Sequence, residues 1–376
     1  MRSRVLTTLG IVLCALGVTV AAAAAPVIAG TTAQTQPQPH PQQSQPPVEG
    51  KVDVDPSDLP GDGSESNPYE ISNVSELQAM EDDLDANYEL VSDIDASQTA
   101  QFNDGRGFDP VGPSFSAQFA GSLDGINHTI TGLTIDRPTE NRIGVIGVLA
   151  NEGTIRNVSV VDADITGNFY TGGIVGTTNG EVVSSSVTGT VTSSNNNAGG
   201  LAGSNDGLLK ESSAQVTVTG ENQVGGLVGL NSDTIRKSSA TGSVSASGTR
   251  VGGLVATNNN NATVENSYAT GAVTGDSKVG GLVGLNPGII QQTFAVGSVS
   301  GTSAVGGLVG TNTASFAETP GTVENSYFDE LTTGQSTSAG SATGLTTAEM
   351  QGSAAAESMD LAFGETWQTV SGNYPE

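Results

Sequence analysis

A five-residue phrase that returns at a nearly constant interval limits what this chain can fold into. Two glycines are followed by an aliphatic residue, a second small or aliphatic residue, and then glycine or alanine. Successive copies begin 27, 26, 27, 28 and 26 residues apart. A period of this length indicates a chain that stacks copies of one unit instead of closing a single globular core. We interpret the paired glycines as structural anchors of the repeat: Gly172, Gly173, Gly199, Gly200, Gly225, Gly226, Gly252, Gly253, Gly280, Gly281, Gly306 and Gly307.

The residues between the phrases have the composition and alternation of β-strands. Apolar and small residues alternate with a period of two, as at Ile235, Ala240 and Val244, which predicts strands with one buried face. A rung of 26 to 28 residues holds roughly three strands of about five residues each and three corners. The fold class we predict is therefore all-β, a parallel β-solenoid whose rungs stack about 4.8 Å apart.

An asparagine follows each phrase, and we expect the chain to bend there. Asn tolerates positive φ and makes tight corners. Because the asparagines recur at one place in each rung, they should also form a ladder that satisfies backbone groups at the bend. Five of them lie two residues after the phrase and the sixth lies one residue later: Asn205, Asn231, Asn258, Asn286 and Asn312, and then Asn179.

The sequence of the repeat resembles a known motif. The phrase G-L-V-G, followed by N-x-G-x-I and by S-Y-A-T-G-x-V as at residues 267–273, is similar to the GLUG motif of secreted and surface proteins. Six copies run from Gly172 to Phe328, and a degenerate one covers Ile143 to Val160. The resemblance implies a relationship to adhesin-like proteins and to non-catalytic regions of large surface peptidases. It implies no catalytic residue in the motif itself.

Three segments precede the repeats. Residues 1–29 contain Arg2 and Arg4, an apolar run and then alanines, which is typical of a secretory signal peptide; an uncleaved N-terminal anchor is the alternative. Residues 30–66 are Pro/Gln-rich and then acidic, which predicts a disordered linker. Residues 67–140 should form the N-terminal rungs and cap of the solenoid, with a short helix that begins at Ser75 as its N-cap.

The repeats themselves occupy residues 141–330, and residues 331–376 are expected to cap them. A cap is needed because the last rung would otherwise expose unpaired strand edges. Thr346 and Glu349 have the spacing of a capping box, so a second short helix should start there. Trp367 and Tyr374 should anchor this segment on the last rung.

The charge excludes some partners. The formal net charge is −27, from 39 acidic and 12 basic residues. Nucleic acid is excluded because no basic face could displace counterions from phosphate. Anionic membrane surfaces are disfavoured for the same reason, so membrane contact is expected only through an uncleaved N-terminal segment. The acidic balance also resembles that of proteins from haloarchaea, in which molar salt screens like-charge repulsion to about 3 Å.

Few residues could carry catalysis. The histidines are His40 and His128, and the one cysteine, Cys14, lies in the N-terminal segment. The chain therefore lacks an HExxH zinc-peptidase helix, a thiol nucleophile and a thiolate metal site. It also lacks a phosphate-binding loop and the calcium-binding nonapeptide of other β-rolls. We predict no catalytic residue and no cofactor.

An enzymatic alternative rests on carboxylates of the N-terminal rungs, since β-helices also host polysaccharide lyases and glycosidases. Four aspartates could supply an acid pair in that region: Asp93, Asp95, Asp109 and Asp124. Arg106 or Arg137 beside them would favour the enzyme. Three of the four, Asp93, Asp95 and Asp124, could alternatively bind calcium.

The function predicted from these features is non-enzymatic and extracellular. Four sequons offer N-glycosylation sites at Asn73, Asn127, Asn157 and Asn261, as in a surface glycoprotein. We expect a secreted or surface-tethered β-solenoid that serves as a structural or adhesive module and contacts glycans or cell-surface proteins. A polysaccharide lyase or glycosidase is the alternative.

The charge yields a first testable prediction. Thermal unfolding followed by circular dichroism should give a higher melting temperature in molar salt than in dilute buffer, because salt screens the repulsion between carboxylates. Equal melting temperatures in the two solutions would contradict this interpretation of the acidic composition.

Overall fold

Stacked parallel strands make up most of the computed structural model, which describes residues 54–313 and 320–376. The predicted signal or anchor segment, residues 1–29, and the linker as far as residue 53 lie outside the described residues. The described strands form one sheet of 22 strands, one of seven and one of five. Neighbouring strands within each sheet run parallel. The predicted all-β parallel β-solenoid is confirmed.

The 22-stranded sheet turns a corner and so supplies two sides of the solenoid, which we call side 1 and side 2. The strands of side 1 are Tyr69–Ile71, Asn87–Leu90, Ser122–Asp124, Thr154–Arg156, Glu181–Val183, Leu208–Lys210, Thr234–Arg236 and Thr263–Glu265. The strands of side 2 are Ile94–Asp95, Thr129–Thr131, Thr134–Asp136, Ser159–Gly167, Ser186–Ser193, Ser213–Gly220, Ser239–Ala240, Val244–Ala246, Tyr268–Ala269, Val273–Thr274, Val299–Ser300 and Thr343–Leu345. Two longer strands continue from side 1 into side 2, Ile289–Ala295 and Thr322–Asp329.

The smaller sheets complete each rung. The seven-stranded sheet contains Ile146–Leu149, Val175–Thr178, Ala202–Asn205, Val228–Asn231, Val255–Asn258, Val283–Leu285 and Val309–Thr311. The five-stranded sheet contains Asn196–Gly199, Asn222–Gly225, Thr249–Gly252, Ser277–Gly280 and Ser303–Gly306. The helices are short: Pro56–Asp58, Met80–Asp82 and Ser97–Gly105 are 3-10 helices, and Val74–Ala79, Glu330–Thr333 and Ser353–Ser358 are α-helices.

A complete rung therefore holds four strands, where we expected three. In one rung they are Ala202–Asn205, Leu208–Lys210, Ser213–Gly220 and Asn222–Gly225. The fourth arises because the glycine phrase itself folds into a corner, with one strand ending at its first glycine and the next beginning at its fourth residue. Residues one repeat apart pair in register, as Val228 does with Val255.

The interior is filled by the aliphatic residues of every side. Leu227 and Val228 from the glycine phrase, Ile235 from side 1 and Val218 from side 2 are all fully buried. The core is continuous from Leu59 to Phe328, so each rung packs on the next through equivalent side chains. This repeated burial favours stacking over any closed globular arrangement.

The glycines of the phrase lie where the backbones of neighbouring rungs approach most closely. A Cβ atom on Gly226 would lie 2.0 Å from the carbonyl oxygen of Gly253, one rung on. A Cβ atom on Gly203 would lie 2.3 Å from the carbonyl carbon of Tyr170, one rung back. Both distances are shorter than any real Cβ contact, so a side chain would push the rungs apart.

The asparagines after the phrase form the predicted ladder. Each Nδ2 donates to the Oδ1 of the asparagine one rung on, at 2.7 Å from Asn205 to Asn231 and 2.8 Å from Asn231 to Asn258. The ladder continues through Asn286 to Asn312. Each Nδ2 also donates to a backbone carbonyl, for example that of Asp233 at 3.0 Å.

Two expectations about the asparagines were wrong: Asn179 is not part of the ladder, and the ladder asparagines do not have positive φ. Thr178 occupies the ladder position in that rung, and Asn179 donates instead to the carbonyl oxygen of Leu149. The ladder asparagines do not have positive φ. Two other rows of non-glycine residues do: Asn157, Ser184, Glu211, Lys237, Asn266, Gln292 and Asn325 after side 1, and Arg142, Tyr170, Asn197, Gln223, Arg250, Lys278 and Ala304 before the glycine phrase. Asparagine is therefore placed here for its hydrogen bonds and not for its tolerance of positive φ.

The N-terminal end of the fold begins earlier than residue 67. Leu59 is buried in the core, and the backbone N–H of Asn87 donates to the carbonyl oxygen of Gly63 at 2.8 Å. Residues 54–66 thus belong to the folded unit and not to the predicted disordered linker. The short helix is present, but its N-cap is Asn73 and not Ser75, because the Asn73 side chain accepts hydrogen bonds from the backbone N–H groups of Ser75 and Glu76.

The C-terminal segment covers both an edge and a side. Thr343–Leu345 pairs with the last long strand, and Ser338 Oγ accepts a hydrogen bond from the Val309 N–H at 2.8 Å. Thr346 and Glu349 make the hydrogen bonds of a capping box, yet they close a turn, and the helix starts only at Ser353. Trp367 lies on side 2, 5.4 Å from Phe294 between ring centroids, in a second apolar cluster separate from the core.

Asp329 holds this segment through a buried carboxylate. One oxygen accepts from the backbone N–H groups of Leu331 and Thr332, and the other accepts from the Tyr374 hydroxyl at 2.7 Å. Burial alone would raise the pKa of Asp329, but the hydrogen bonds that the carboxylate accepts, among them those from Thr332, Tyr374 and Leu331, outweigh it and leave the pKa lowered. The ionised form therefore stabilises the attached segment.

The asparagine ladder can be tested by Asn231→Ala. The substitution leaves buried polar groups of Asn205 and Asn258 without their partners, so it should lower the free energy of unfolding by about 1–3 kcal/mol. Urea unfolding followed by circular dichroism measures this loss. The matched control is Asn260→Ala, because Asn260 is exposed and its loss should stay within about 0.5 kcal/mol. Equal losses in the two variants would show that the ladder contributes nothing specific.

The attachment of the C-terminal segment can be tested by Tyr374→Phe. Removing this hydrogen bond to a charged group should weaken the attachment by about 1.5–3 kcal/mol. Because the folded pKa of Asp329 is depressed, its contribution is present above pH 3.8 and is lost as the pH falls through the folded pKa. Trp367 fluorescence should therefore report an acid transition that moves to higher pH in the variant. Tyr170→Phe is the control and should leave the transition unmoved.

Candidate functional site

Three of the aspartates proposed for catalysis or calcium binding each interact with a different partner. Asp93 accepts from the Thr129 N–H at 2.9 Å, and its carboxylate lies 3.4 Å from His128 Nδ1. Asp95 accepts from the Ser97 N–H at 3.0 Å. Asp124 pairs with Arg156, 2.7 Å from its Nε atom. In residues 54–313 and 320–376, no three Asp, Glu, His or Cys side chains lie where they could hold a metal ion together.

The pKa values of Asp93, Asp95 and Asp124 are lowered, which does not suit a general acid. The pKa of Asp93 is lowered chiefly by the backbone hydrogen bond from Thr129, and that of Asp95 by the side-chain hydrogen bond from Ser97. Burial would raise the pKa of Asp124, but hydrogen bonds from Asn157, Ile126 and Arg156 leave it lowered. A glycosidase needs one carboxyl group whose pKa is raised.

The two arginines named with these aspartates join a different network. Arg137 is buried and contacts the Asp109 carboxylate and Glu140, the latter at 3.1 Å. Arg106 contacts Glu140 at 2.8 Å. Of the four proposed aspartates, Asp109 is thus the one that contacts Arg106 or Arg137. The arrangement ties the loop around residue 109 to the turn at residue 140 and forms a structural ion-pair network.

The four sequon asparagines lie at turns and caps. Asn127 and Asn261 are exposed and have positive φ. Asn157 is half-buried, and its Nδ2 donates to Asp124 at 3.0 Å. Asn73 uses its side-chain oxygen as the N-cap of the first α-helix. Asn127 and Asn261 are the two with side chains in solvent and without such a role, and glycosylation at all four sites stays a prediction.

Side 2 carries rows of outward Ser and Thr residues, which we call the hydroxyl strip. Its outward residues align from rung to rung. One row is Thr166, Thr192, Thr219, Ser245, Thr274 and Ser300. Two pairs of neighbours in the row hydrogen-bond through their hydroxyls, Thr192 with Thr219 at 3.0 Å and Thr274 with Ser300 at 3.1 Å.

The hydroxyl strip is neutral although the chain is strongly acidic. Its central segments contain no Asp, Glu, Lys or Arg: residues 186–193, 213–220, 239–247, 268–275 and 294–301. The strands of side 1, by contrast, carry Arg156, Glu181, Lys210, Arg236 and Glu265. The preceding strand of side 2, Ser159–Gly167, does carry Asp162 and Asp164, and Thr190 donates to Asp164 at 3.1 Å, so the part of the strip without charged residues begins at residue 186.

Towards the C-terminal end of the strip, aromatic residues replace serine in one of its outward rows. One outward row runs through Ser159, Ser186, Ser213 and Ser239 and then becomes aromatic, through Tyr268 and Phe294 to Tyr327. The rings of Tyr268 and Phe294 are stacked, with centroids 5.1 Å apart and planes 4° apart. Sequence reasoning missed this row. Its signal is the aromatic residue at one repeat position, in S-Y-A, T-F-A and S-Y-F.

No helix in residues 54–313 or 320–376 has the length and apolarity needed to cross a bilayer. The candidate site consists of the hydroxyl strip together with the aromatic row at its end.

Comparison with known proteins agrees with the repeat. The family model described as the GLUG motif matches residues 220–245, 247–274 and 301–332. Halomucin of Haloquadratum walsbyi is 40% identical over 136 residues, which cover 35% of this chain and 2% of halomucin. A protein of Evansella cellulosilytica, named as a Gly-rich membrane protein, is 35% identical over 114 residues, covering 30% of this chain and 12% of that protein. The chain thus matches only a small part of the length of either relative.

A solved structure shares the fold. The crystal structure of a Bacteroides ovatus protein, described as an immunoglobulin A1 protease, superposes with a TM-score of 0.52. It is 22% identical in sequence, and the match covers 84% of this chain and 93% of that chain. At this identity the likeness concerns the fold alone. The chain is a parallel β-solenoid that carries GLUG motif repeats.

Proposed function

We propose that this chain belongs to a secreted or cell-surface protein and that its solenoid is a non-enzymatic adhesive module. The names of two relatives, halomucin and a Gly-rich membrane protein, support the surface location. The solenoid would hold the hydroxyl strip rigidly, because every rung is fixed to the next by backbone hydrogen bonds. The partner we propose is a neutral glycan.

The observation that carries this proposal is the neutrality and regularity of the hydroxyl strip. Each Ser or Thr hydroxyl can both donate and accept a hydrogen bond, which matches the hydroxyl groups of a sugar. Rows of such groups recur about 4.8 Å apart along the solenoid, so an extended glycan could meet several of them at once. A charged partner would gain little from a strip without ionic groups.

The enzymatic alternative has less support. Among the described residues no three Asp, Glu, His or Cys side chains could hold a metal ion together, and the pKa values of Asp93, Asp95 and Asp124 are lowered where a general acid needs a raised one. The solved relative described as a protease resembles this chain in fold only. Adhesion without bond cleavage is the function that these contacts favour.

The test is binding and cleavage of polysaccharides by the full chain in molar salt, with and without calcium. We expect retention on a glycan array without release of shorter products. The double variant Thr192→Val and Thr219→Val removes two paired hydroxyls and keeps residues that suit a strand, so binding should weaken about tenfold.

The control for that variant is Thr154→Val, which removes a hydroxyl from side 1 and should leave binding unchanged. Release of shorter saccharides would overturn the proposal in favour of an enzyme. Equal binding by both variants would show that the hydroxyl strip is not the contact surface.

A further inference from the structure

A groove at the aromatic end of the hydroxyl strip has the form of a small-ligand site. It encloses about 460 Å³, within the range of about 300–1,000 Å³ that is usual for such sites. Tyr268, Thr241 and Thr270 of the solenoid line one wall, and Asn373, Tyr374 and Glu376 of the C-terminal segment line the other. The groove thus exists only because the C-terminal segment packs on side 2.

Tyr268 is the first aromatic residue of the row, so within the row only one face of its ring is covered by another ring. Phe294 stacks on it from the next rung, at 5.1 Å. The preceding rung places Ser239 in the same row, and that side chain is too small to cover the ring. Thr241, which also lines the groove, belongs to the same preceding rung as Ser239. The groove therefore reaches from the rung of Tyr268 to the rung of Ser239. A flat ligand could continue the stack above Tyr268.

The chemistry of the lining selects the class of that ligand. The face of an aromatic ring is electron-rich and attracts polarised C–H groups, such as those on the flat side of a pyranose ring. Thr241, Thr270 and Asn373 supply hydroxyl and amide groups for its equatorial hydroxyls. The Glu376 carboxylate can accept from a hydroxyl and would repel an anionic sugar.

We propose that this groove binds one uncharged sugar ring of a glycan by stacking it on Tyr268 between the solenoid and the C-terminal segment. The inference rests on the proposed function, since it places a ring-recognising end on the hydroxyl strip. It also assigns the C-terminal segment a second role beyond covering the last rung, because that segment builds half of the site.

The experiment is a fluorescence titration of the full chain in molar salt. Trp367 is the only tryptophan, and its ring centroid lies 6.1 Å from that of Tyr268, so its fluorescence should change when a ligand stacks on Tyr268. The probes are the uncharged hexasaccharides of β-1,4-linked glucose, mannose and N-acetylglucosamine, together with an anionic hexagalacturonate. We expect saturable binding of at least one uncharged probe and none of hexagalacturonate.

Two variants of the ring test its part in binding. Tyr268→Ala should weaken binding about tenfold, and Tyr268→Phe, which keeps the ring, should bind within about threefold of the parent. Since Tyr268→Ala could also loosen the C-terminal segment, a second test adds a ring instead. Ser239→Tyr would extend the aromatic row into the position proposed for the sugar and should also weaken binding about tenfold. Ser186→Tyr, two rungs further away in the same row, should not.

The outcomes separate this inference from the proposed function. If Tyr268→Ala and Ser239→Tyr bind as the parent does while the Thr192→Val and Thr219→Val variant binds weakly, the groove is not the site and the strip remains the contact surface. Tighter binding of hexagalacturonate than of the uncharged probes would overturn the selectivity argued for Glu376. Absence of binding to every probe would overturn both the groove and the adhesive proposal.

Discussion

Backbone hydrogen bonding between equivalent residues of successive rungs is the constraint on which the rest of this structure depends. Strands one repeat apart must lie about 4.8 Å from each other on every side of the solenoid. Corners must then approach as closely as strands do, and the glycines of the phrase make this possible, as at Gly226 and Gly203. Left-handed backbone at Lys237 and Arg250 persists for the same reason, because the rungs on either side hold those residues in place.

Close stacking also creates polar groups that water cannot reach, and the repeat supplies a partner for them at the same position each time. The asparagine ladder satisfies carbonyl groups at one corner. A buried serine row does so at another: Ser212 Oγ accepts from the Ser185 N–H and donates to the Lys210 carbonyl, and Ser238 repeats the arrangement one rung on. A buried polar network is stabilising only when its members are satisfied.

The exterior is under no such constraint, and there the sides diverge. Side 1 carries charged residues, whereas side 2 presents hydroxyl groups in rows and then aromatic rings. In a chain with a net charge of −27, the side-2 strands from Ser186–Ser193 to Val299–Ser300 carry no charged residue, which sets this surface apart from side 1. The C-terminal segment completes this surface. Its attachment through Asp329 and Tyr374 makes the groove beside Tyr268 depend on the same contacts that cover the end of the solenoid.

The sequence by itself determined the repeat, the parallel β-solenoid and the asparagine ladder. Spacing, strand alternation and turn residues are local properties, and stacking makes each rung repeat the last. Tertiary structure alone decided that Trp367 would meet Tyr268 and Phe294, because the C-terminal segment reaches side 2 only when the whole chain has folded. It also decided that Asp93, Asp95 and Asp124 take separate partners, which are Thr129, Ser97 and Arg156. Their nearness in sequence carried no information on the direction of their side chains, which local caps and ion pairs set.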